Sequence, residues 1–398
     1  MIQDRNIICI ASNWFYDPTS KHHLMKLLSR HNHVIWVNYH ASRKPQWSAR
    51  DAGAMVGKIR QIIQGPRQVA ESITVVTPLV VPLPGNRAVA SLNAELLVRQ
   101  IRSVLNDLPE RPTQLWSFAP DVDYLCGRFD EELRLYYCVD EFSRFVGYDA
   151  EQVLAAERRL AERADLLIVT SQALLEAKRS LHSRVALVSH GVDAEHFRTA
   201  LRSTGPIPLE IRELPRPVLG FWGLIQDWVD LDLLEAVARR RPQWSIVLIG
   251  EAAADVGRLH RFPNVRLLGR RHYQKLPEYA RGMDIGIIPF RVNDLTRAVN
   301  PIKLREYLSA GLPVVSTPLP EVASYDRMVR VADTPETFVE ACEAAVLEAK
   351  ADVAGRARRA RHEAMLQETW EAKLAVIEQH VQAALAARSP RAAAIAVG

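Results

Sequence analysis

Short apolar runs alternate with helical patterns from one end of the chain to the other, and this alternation restricts the fold more than any other feature. In the first half, the apolar runs predict strands at residues 6–11, 34–38, 73–77, 115–118, 133–139, 166–170 and 185–189. Helical patterns lie between several of these runs, at residues 20–29, 89–105, 150–164 and 172–180. A regular succession of strands and helices is typical of a parallel sheet with helices on both faces.

A proline-rich stretch interrupts the alternation near the middle of the chain. Residues 199–217 contain four prolines and little hydrophobic periodicity, which indicates a linker. A second alternation follows, with predicted strands at 218–222, 245–249, 265–268, 285–289, 314–316 and 329–331.

We therefore predict an α/β protein with two domains and a ligand cleft between them. The N-terminal domain covers 1–198 and the C-terminal domain covers 218–362. A helix at 363–386 follows, for which packing back onto the first domain is left open, and the tail at 387–398 is predicted to be disordered.

Composition excludes several classes of protein. The 398 residues are 48% hydrophobic and 24% charged, which argues against global disorder and against a coiled coil. A net charge of +5 suits an anionic small ligand or an anionic membrane face and does not demand nucleic acid. The four cysteines form no CxxC pair, so we expect neither a disulfide framework nor a zinc site.

The stretch from Pro289 to Pro320 is the most informative for chemistry. A strand ends near Pro289, and a helix starts just after Pro301 with Lys303 and Glu306 three residues apart on one face. A helix N-terminus binds phosphate through its free backbone N–H groups, and a carboxylate one turn later can accept hydrogen bonds from ribose hydroxyls. The alternative is an exposed ion pair between the two side chains.

This segment, PIKLREYLSAGLPVVSTPLPEV, resembles the signature of nucleotide-sugar glycosyltransferases with the GT-B fold. The chain is similar to bacterial polysaccharide and teichuronic-acid-type glycosyltransferases and to the xanthan glucuronosyltransferase family. The stretches VSHGVD, LGFWGLI, WSIVLIG and NVRLLGRR agree with the family pattern in the same order. The resemblance implies two Rossmann-like domains whose parallel sheets face each other across a cleft.

The resemblance also implies roles for individual donor-binding residues. Glu306 would bind the ribose and Lys303 the diphosphate, while the backbone at Arg270 would hold the base, expected to be uracil. Three further residues would complete the donor site: Gly223 beside the phosphates or sugar, Phe290 beside the sugar, and Asn300 before the helix.

Two departures from the family pattern bear on the mechanism. Ala298 stands where many retaining members have a second Glu, and Leu224 and Val229 stand where many have an Arg and a Lys. We therefore expect inversion at the anomeric carbon, and diphosphate binding that depends on Lys303 and the helix N-terminus.

A second candidate site follows the apolar run LRLYYCV, which leads directly into Asp140 and Glu141. An inverting transfer needs a general base for the acceptor hydroxyl, and Asp140 is our prediction for it. Asp140 also resembles, in position and context, the catalytic aspartate of the xanthan glucuronosyltransferase. Glu141 is the second choice for the base, and the alternative for Asp140 is a helix N-cap.

Four more residues are candidates for the acceptor side or the cleft: Asn13, Trp14, His22 and His190. For His190, a structural role near the hinge is an equal alternative. The basic stretch from Arg43 to Arg67, with apolar residues interleaved, is either a membrane-surface element or a packed helix.

No metal or other cofactor is expected. The triplets at Asp121 and Asp123 and at Asp230 and Asp232 match the metal-binding DxD of another glycosyltransferase fold, but both fit helix starts. No GxGxxG follows a strand.

The sequence therefore predicts a metal-independent hexosyl- or glycuronosyltransferase that acts in bacterial polysaccharide biosynthesis. The partners implied are a UDP-sugar, a glycan acceptor expected to be lipid-linked, and an anionic membrane surface, with no nucleic acid. We expect a cytoplasmic protein, peripheral at the inner face of the plasma membrane. Two alternatives stay open: a nonhydrolysing UDP-sugar 2-epimerase, and a non-catalytic nucleotide-sugar-binding scaffold.

Overall fold

The computed structural model describes residues 1–39, 65–78, 87–202 and 204–395. The chain forms two compact units. The first consists of Met1–Ser189 together with Leu374–Gly398, and the second of His190–Lys373.

The first unit is built on an eight-stranded sheet with strand order β3-β4-β2-β1-β5-β6-β7-β8. All neighbouring strands are parallel except β3 and β4, which are antiparallel. The strands are β1 (Asn6–Ala11), β2 (His33–Asn38), β3 (Arg67–Ala70), β4 (Ile73–Val76), β5 (Thr113–Ser117), β6 (Leu133–Cys138), β7 (Leu166–Val169) and β8 (Val185–Leu187). The helices are α1 (Ser20–Leu28), α2 (Arg87–Asn106), α3 (Ala150–Arg163) and α4 (Gln172–Lys178).

The second unit is built on a six-stranded parallel sheet with strand order β11-β10-β9-β12-β13-β14. Its strands are β9 (Val218–Trp222), β10 (Ser245–Ile249), β11 (Val265–Gly269), β12 (Ile285–Ile288), β13 (Val314–Ser316) and β14 (Val329–Val331). Its helices are α5 (Ala194–Arg198), α6 (Leu209–Arg212), α7 (Leu231–Arg240), α8 (Leu276–Gly282), α9 (Asp294–Arg297), α10 (Ile302–Ser309), α11 (Pro335–Ala351) and α12 (Arg356–Met365). The last helix, α13 (Trp370–Ile395), begins in the second unit and continues in the first.

The apolar runs are continuous because the central strands are covered on both faces. Every residue of β1, β5, β7, β9, β10 and β12 is buried. The expectation of an α/β fold with parallel sheets is confirmed. The sequence does not signal β3, because its residues RQVA are mostly exposed and provide no apolar run.

The unit boundaries differ from the predicted domain boundaries. His190 and the eight residues after it lie in the second unit rather than the first, and Phe197 of α5 stacks on Trp222 with ring centroids 5.9 Å apart. The stretch at 199–217 that is predicted as a linker contains folded segments. This stretch includes a 3-10 turn at Thr199–Leu201 and helix α6, whose Ile211 is fully buried.

The C-terminal part also differs from the predicted single helix at 363–386. α12 and α13 replace it, and α13 extends to Ile395, well into the tail predicted to be disordered. From Leu374 onward α13 belongs to the first unit, where Glu378 accepts a hydrogen bond from the Ile2 backbone at 2.8 Å. Arg388 forms an ion pair with Asp165 at 2.9 Å.

No helix in the part of the chain that the structure describes is long and apolar enough to cross a membrane. Most of the basic stretch between Arg43 and Arg67, namely residues 43–64, lies outside the described residues. Its assignment as a membrane-surface element stays a prediction.

A close contact in the second unit joins the sheet to α10. Tyr307 of α10 is fully buried, and a Cβ added to Gly286 of β12 would lie 2.6 Å from its ring. Glycine at this position therefore lets the tyrosine pack directly against the strand.

We expect Gly286→Ala to destabilise the protein by about 1–3 kcal/mol, because the extra methyl group over-packs the core against Tyr307. Urea unfolding should show a lower midpoint than for wild type. Leu347→Ala is the control, since Leu347 is 67% exposed and should change stability by less than about 0.5 kcal/mol. Equal midpoints for Gly286→Ala and wild type would contradict this account of the packing.

Candidate functional site

The carboxylate of Glu306 is buried at the carboxyl end of the sheet in the second unit. Glu306 lies on α10 and is 8% exposed. Its Oε2 accepts a hydrogen bond of 2.6 Å from the indole Nε1 of Trp222, the last residue of β9. Among the described residues, none donates a hydrogen bond to the other oxygen, Oε1. The carboxylate is thus fixed by one oxygen and can bind through the other.

Contacts with Tyr307 and Phe197 fix the position of Trp222. Its backbone N–H donates to the hydroxyl of Tyr307 at 3.0 Å, and the two rings meet edge to face with centroids 4.2 Å apart. Phe197 stacks on the same indole from α5. The sequence gives no sign that Trp222 bonds to Glu306, because the two residues are 84 positions apart and meet only in the folded sheet.

Burial raises the pKa of Glu306, while the Trp222 hydrogen bond and the charge of Lys303 partly oppose this rise. The cause is that a carboxylate loses hydration in a buried site. The folded protein therefore binds a proton at Glu306 more tightly than the unfolded chain does. The ionised carboxylate of Glu306 is the better hydrogen-bond acceptor, but its ionisation in the buried site lowers the free energy of unfolding.

Lys303 lies one turn before Glu306, above two aromatic rings. Its Nζ is 4.9 Å from the ring centre of Phe290 and 5.5 Å from that of Phe221, within the range of cation–π attraction. A Cβ added to Gly223 would lie 3.1 Å from the Cε of Lys303, and Gly223 has a φ of +135°. Gly223 therefore leaves room for the lysine, and Phe290, which is 3% exposed, lies against the Lys303 ammonium.

Asn300 and Arg270 occupy different kinds of position. Both ends of the buried Asn300 amide are bonded, with Nδ2 donating to Glu321 at 2.8 Å and Oδ1 accepting from Arg305 at 2.6 Å. Asn300 thus stabilises the loop before α10 through these two hydrogen bonds. Arg270 is exposed just after β11, and its carbonyl accepts a hydrogen bond from Arg271 at 3.1 Å.

Asp140 follows β6 at the carboxyl end of the sheet in the first unit and is half-buried. Its carbonyl accepts a hydrogen bond from the Phe142 backbone at 3.1 Å. The N-cap of the next α-helix, α3, is Asp149, whose side chain accepts from the Gln152 backbone. The element that directly follows Asp140 is a 3-10 turn at Phe142–Arg144, and its N-cap position is taken by Glu141.

Lys21 is a neighbour of Asp140 that sequence reasoning missed. It lies in the first turn of α1, and burial lowers its pKa while the charge of Asp140 and the thiol of Cys9 oppose that decrease. The charge of Asp140 acts on Lys21 because α1 follows β1, and β1 and β6 both pair with β5.

Glu141 is in a different environment from Asp140, although the two are adjacent. It forms an ion pair with Lys178 at 2.6 Å and accepts a hydrogen bond from the Ser143 hydroxyl at 2.6 Å. Burial alone would raise its pKa, but these two partners hold it below the usual range. A strongly bonded carboxylate with a low pKa is a poor proton acceptor.

The predicted acceptor-side residues of the first unit have structural contacts. His22 is 3% exposed, its Nδ1 accepts from the Thr19 backbone at 3.1 Å, and its Nε2 lies 3.2 Å from the carbonyl of Trp14. Burial and the charge of Lys21 lower the pKa of His22 to about 3, so the ring is neutral at ordinary pH. Asn13 stabilises the same turn, where its Oδ1 accepts from the Phe15 backbone at 3.0 Å.

His190 lies in the second unit and is 5% exposed. Its ring centroid is 6.0 Å from that of Trp370. A Cβ added to the next residue, Gly191, would lie 2.9 Å from the Trp370 backbone. This close packing agrees with the structural alternative for His190.

The two DxD triplets have structural partners. Asp230 caps α7 by accepting from the backbone of Asp232 at 3.0 Å. Asp123 starts a 3-10 turn and pairs with Arg159 at 3.2 Å.

We expect Glu306→Gln to stabilise the protein at pH 8 more than at pH 5. A raised carboxyl pKa favours the folded state at low pH, and this contribution is lost as the pH rises through the folded-state pKa. The neutral amide avoids the loss and can still accept the Trp222 hydrogen bond. Thermal unfolding at the two pH values measures the difference, and a shift in Tm that does not depend on pH would contradict the argument.

Comparison with known proteins supports the predicted resemblance. Residues 216–348 match the family Glycosyl transferases group 1. The proposed teichuronic acid biosynthesis glycosyltransferase TuaH of Bacillus subtilis is 30% identical over 249 residues. That alignment covers 58% of this chain and 62% of TuaH.

Solved structures with the same fold cover nearly the whole chain. Sucrose-phosphate synthase from Thermosynechococcus elongatus superposes with a TM-score of 0.70 at 15% identity, over 96% of this chain and 100% of that one. Anabaena HepE in complex with UDP and glucose gives a TM-score of 0.63 at 14% identity, over 94% of this chain and 99% of HepE. The chain therefore has the GT-B fold, and Lys303 and Glu306 lie among the residues that match the glycosyl transferases group 1 family.

Proposed function

We propose that this protein is a glycosyltransferase that transfers a sugar from a UDP-sugar to a glycan acceptor. The observation that carries the proposal is the buried Glu306 carboxylate, fixed by Trp222 beside Lys303 at the start of α10. The match of 216–348 to a glycosyltransferase family supports it, as does the likeness of the fold to HepE, which was solved in complex with UDP and glucose.

Glu306 would bind the donor ribose. Its Oε2 is held by Trp222, so Oε1 is the oxygen available to the ribose hydroxyls. Hydrogen bonds donated to a carboxylate favour its ionised form. Ribose binding would therefore offset part of the burial that raises the Glu306 pKa.

Lys303 would bind the diphosphate together with the first backbone N–H groups of α10. The N-cap residue of this helix is Pro301, and no side chain caps the helix by a hydrogen bond. A helix N-terminus favours anions through its dipole and its backbone donors. The Lys303 charge, held over Phe290 and Phe221, adds to this attraction at the leaving group. We propose that these groups act without a metal ion.

Asp140 would act as the general base for the acceptor. The acceptor hydroxyl oxygen attacks the anomeric carbon as its proton passes to the Asp140 carboxylate. The bond from the anomeric carbon to the UDP oxygen breaks, and UDP leaves with the electron pair. We propose inversion, because Ala298, eight residues before Glu306, supplies no second carboxylate.

The similarity to TuaH supports a place in bacterial polysaccharide biosynthesis. We propose a lipid-linked acceptor at the cytoplasmic face of the membrane, and a hexosyl or glycuronosyl group as the sugar transferred.

The test measures the rate at which the Asp140→Asn variant transfers radiolabelled sugar from UDP-sugars to lipid-linked acceptors in a lipid extract. Loss of the general base should reduce kcat by about 10²–10⁴-fold, with little change in the KM for the UDP-sugar. Asp107→Asn is the matched control, since Asp107 is an exposed carboxylate in the same unit.

Wild-type activity in the Asp140→Asn variant would refute the proposed mechanism. An acceptor-independent change of the UDP-sugar would favour the epimerase. UDP binding with no turnover in any assay would favour the scaffold.

A further inference from the structure

A cluster of three charged side chains, two of them buried, includes Glu141 in the loop that carries Asp140. The Nζ of Lys178 is 2.6 Å from Glu141 and 2.7 Å from Glu157. The side chains of Lys178 and Glu157 are each 3% exposed and that of Glu141 is 14% exposed. Nothing in the proposed reaction uses this cluster.

The cluster ties four parts of the first unit together. Glu157 lies on α3 and accepts a hydrogen bond of 2.8 Å from the hydroxyl of Tyr136 on β6. Lys178 is the last residue of α4, and Glu141 belongs to the loop after β6. Ser143, on the same loop, donates to Glu141 at 2.6 Å. The loop is thereby attached to both helices and to its own strand.

Burial of such a cluster destabilises the folded protein unless every charge is paired. Burial disfavours protonation of Lys178, but Glu157 and Glu141 together hold its pKa above the ordinary value. Tyr136 and Ser143 supply hydrogen bonds to the two carboxylates. The charges therefore have partners, and the loop has a defined position relative to the helices.

We infer that Glu141 is a positioning residue whose carboxylate ties the Asp140 loop to Lys178, which is itself held by Glu157. The two adjacent carboxylates then have separate tasks, with Asp140 taking the proton and Glu141 fixing the backbone from which Asp140 projects. This inference rests on the proposed function for its catalytic consequence, but the tether itself is a property of the fold.

The substitutions Glu141→Ala and Glu141→Gln separate a tether from a base. Alanine removes the link to Lys178, whereas glutamine keeps the shape and a hydrogen-bond acceptor. Lys178 keeps Glu157 as its partner in both variants, so we expect both to fold. Glu162→Ala is the matched control, since Glu162 is exposed on α3.

Two measurements are needed: steady-state transfer kinetics, and hydrogen–deuterium exchange of a peptide covering 139–148. For Glu141→Ala we expect faster exchange in this peptide and a loss in kcat of up to about 10²-fold, because small misplacements of a catalytic group are costly. The KM for the UDP-sugar should change less than twofold. Glu141→Gln should lose less than about tenfold in kcat, because the amide can still hold the loop. If Glu141 were the general base, the amide could not replace it and the loss would be larger.

Three results would overturn the inference. A Glu141→Gln variant as inactive as Asp140→Asn, with unchanged exchange, would make Glu141 a proton-transfer residue. A wild-type kcat in Glu141→Ala would show that the tether between Glu141 and Lys178 has no effect on catalysis. Wild-type exchange in Glu141→Ala would remove the tether, and this readout decides the question even if the wild-type protein transfers no sugar and the proposed function fails.

Discussion

The hydrogen bond from the Trp222 indole to the Glu306 carboxylate determines how the second unit arranges its candidate site. It joins the last residue of β9 to the middle of α10 and orients a buried charge. The surrounding side chains hold Trp222 in the position that this hydrogen bond requires. Tyr307 bonds to the Trp222 backbone, and Gly286 leaves the space in which the Tyr307 ring lies.

Buried charge is the common feature of the candidate sites in both units. In the second unit burial raises the pKa of Glu306, which has one indole donor and a lysine nearby. In the first unit Glu141 has a lysine partner and a lowered pKa, while the charge of Asp140 opposes the decrease that burial causes in the pKa of Lys21. Three carboxylates thus have three different environments, and we propose a different task for each. Such local costs in stability are expected at functional sites.

Much of the fold could be predicted from the sequence because strands buried on both faces are read as continuous apolar runs. Lys303 and Glu306 could be placed on one helix face because that depends only on local spacing. The partners of these side chains could not be predicted. Trp222 contacts Glu306 and Lys178 contacts Glu141 only in the folded chain, through the order of the strands, which local patterns do not encode. The same limit explains why the sequence predicts a linker at residues 199–217, although Ile211 packs into the core.

The proposed role of Glu306 in ribose binding is tested by calorimetric binding of UDP and of 2′-deoxy-UDP to the wild-type protein and to Glu306→Gln. If the Glu306 carboxylate holds the ribose hydroxyls, the wild type should bind UDP about tenfold or more tightly than the deoxy analogue, since a hydrogen bond to a charged group contributes about 1.5–3 kcal/mol. The variant should bind the two ligands with similar, weaker affinity. Equal discrimination by wild type and variant, or unchanged UDP affinity in the variant, would contradict the assignment of Glu306 as the ribose-binding residue.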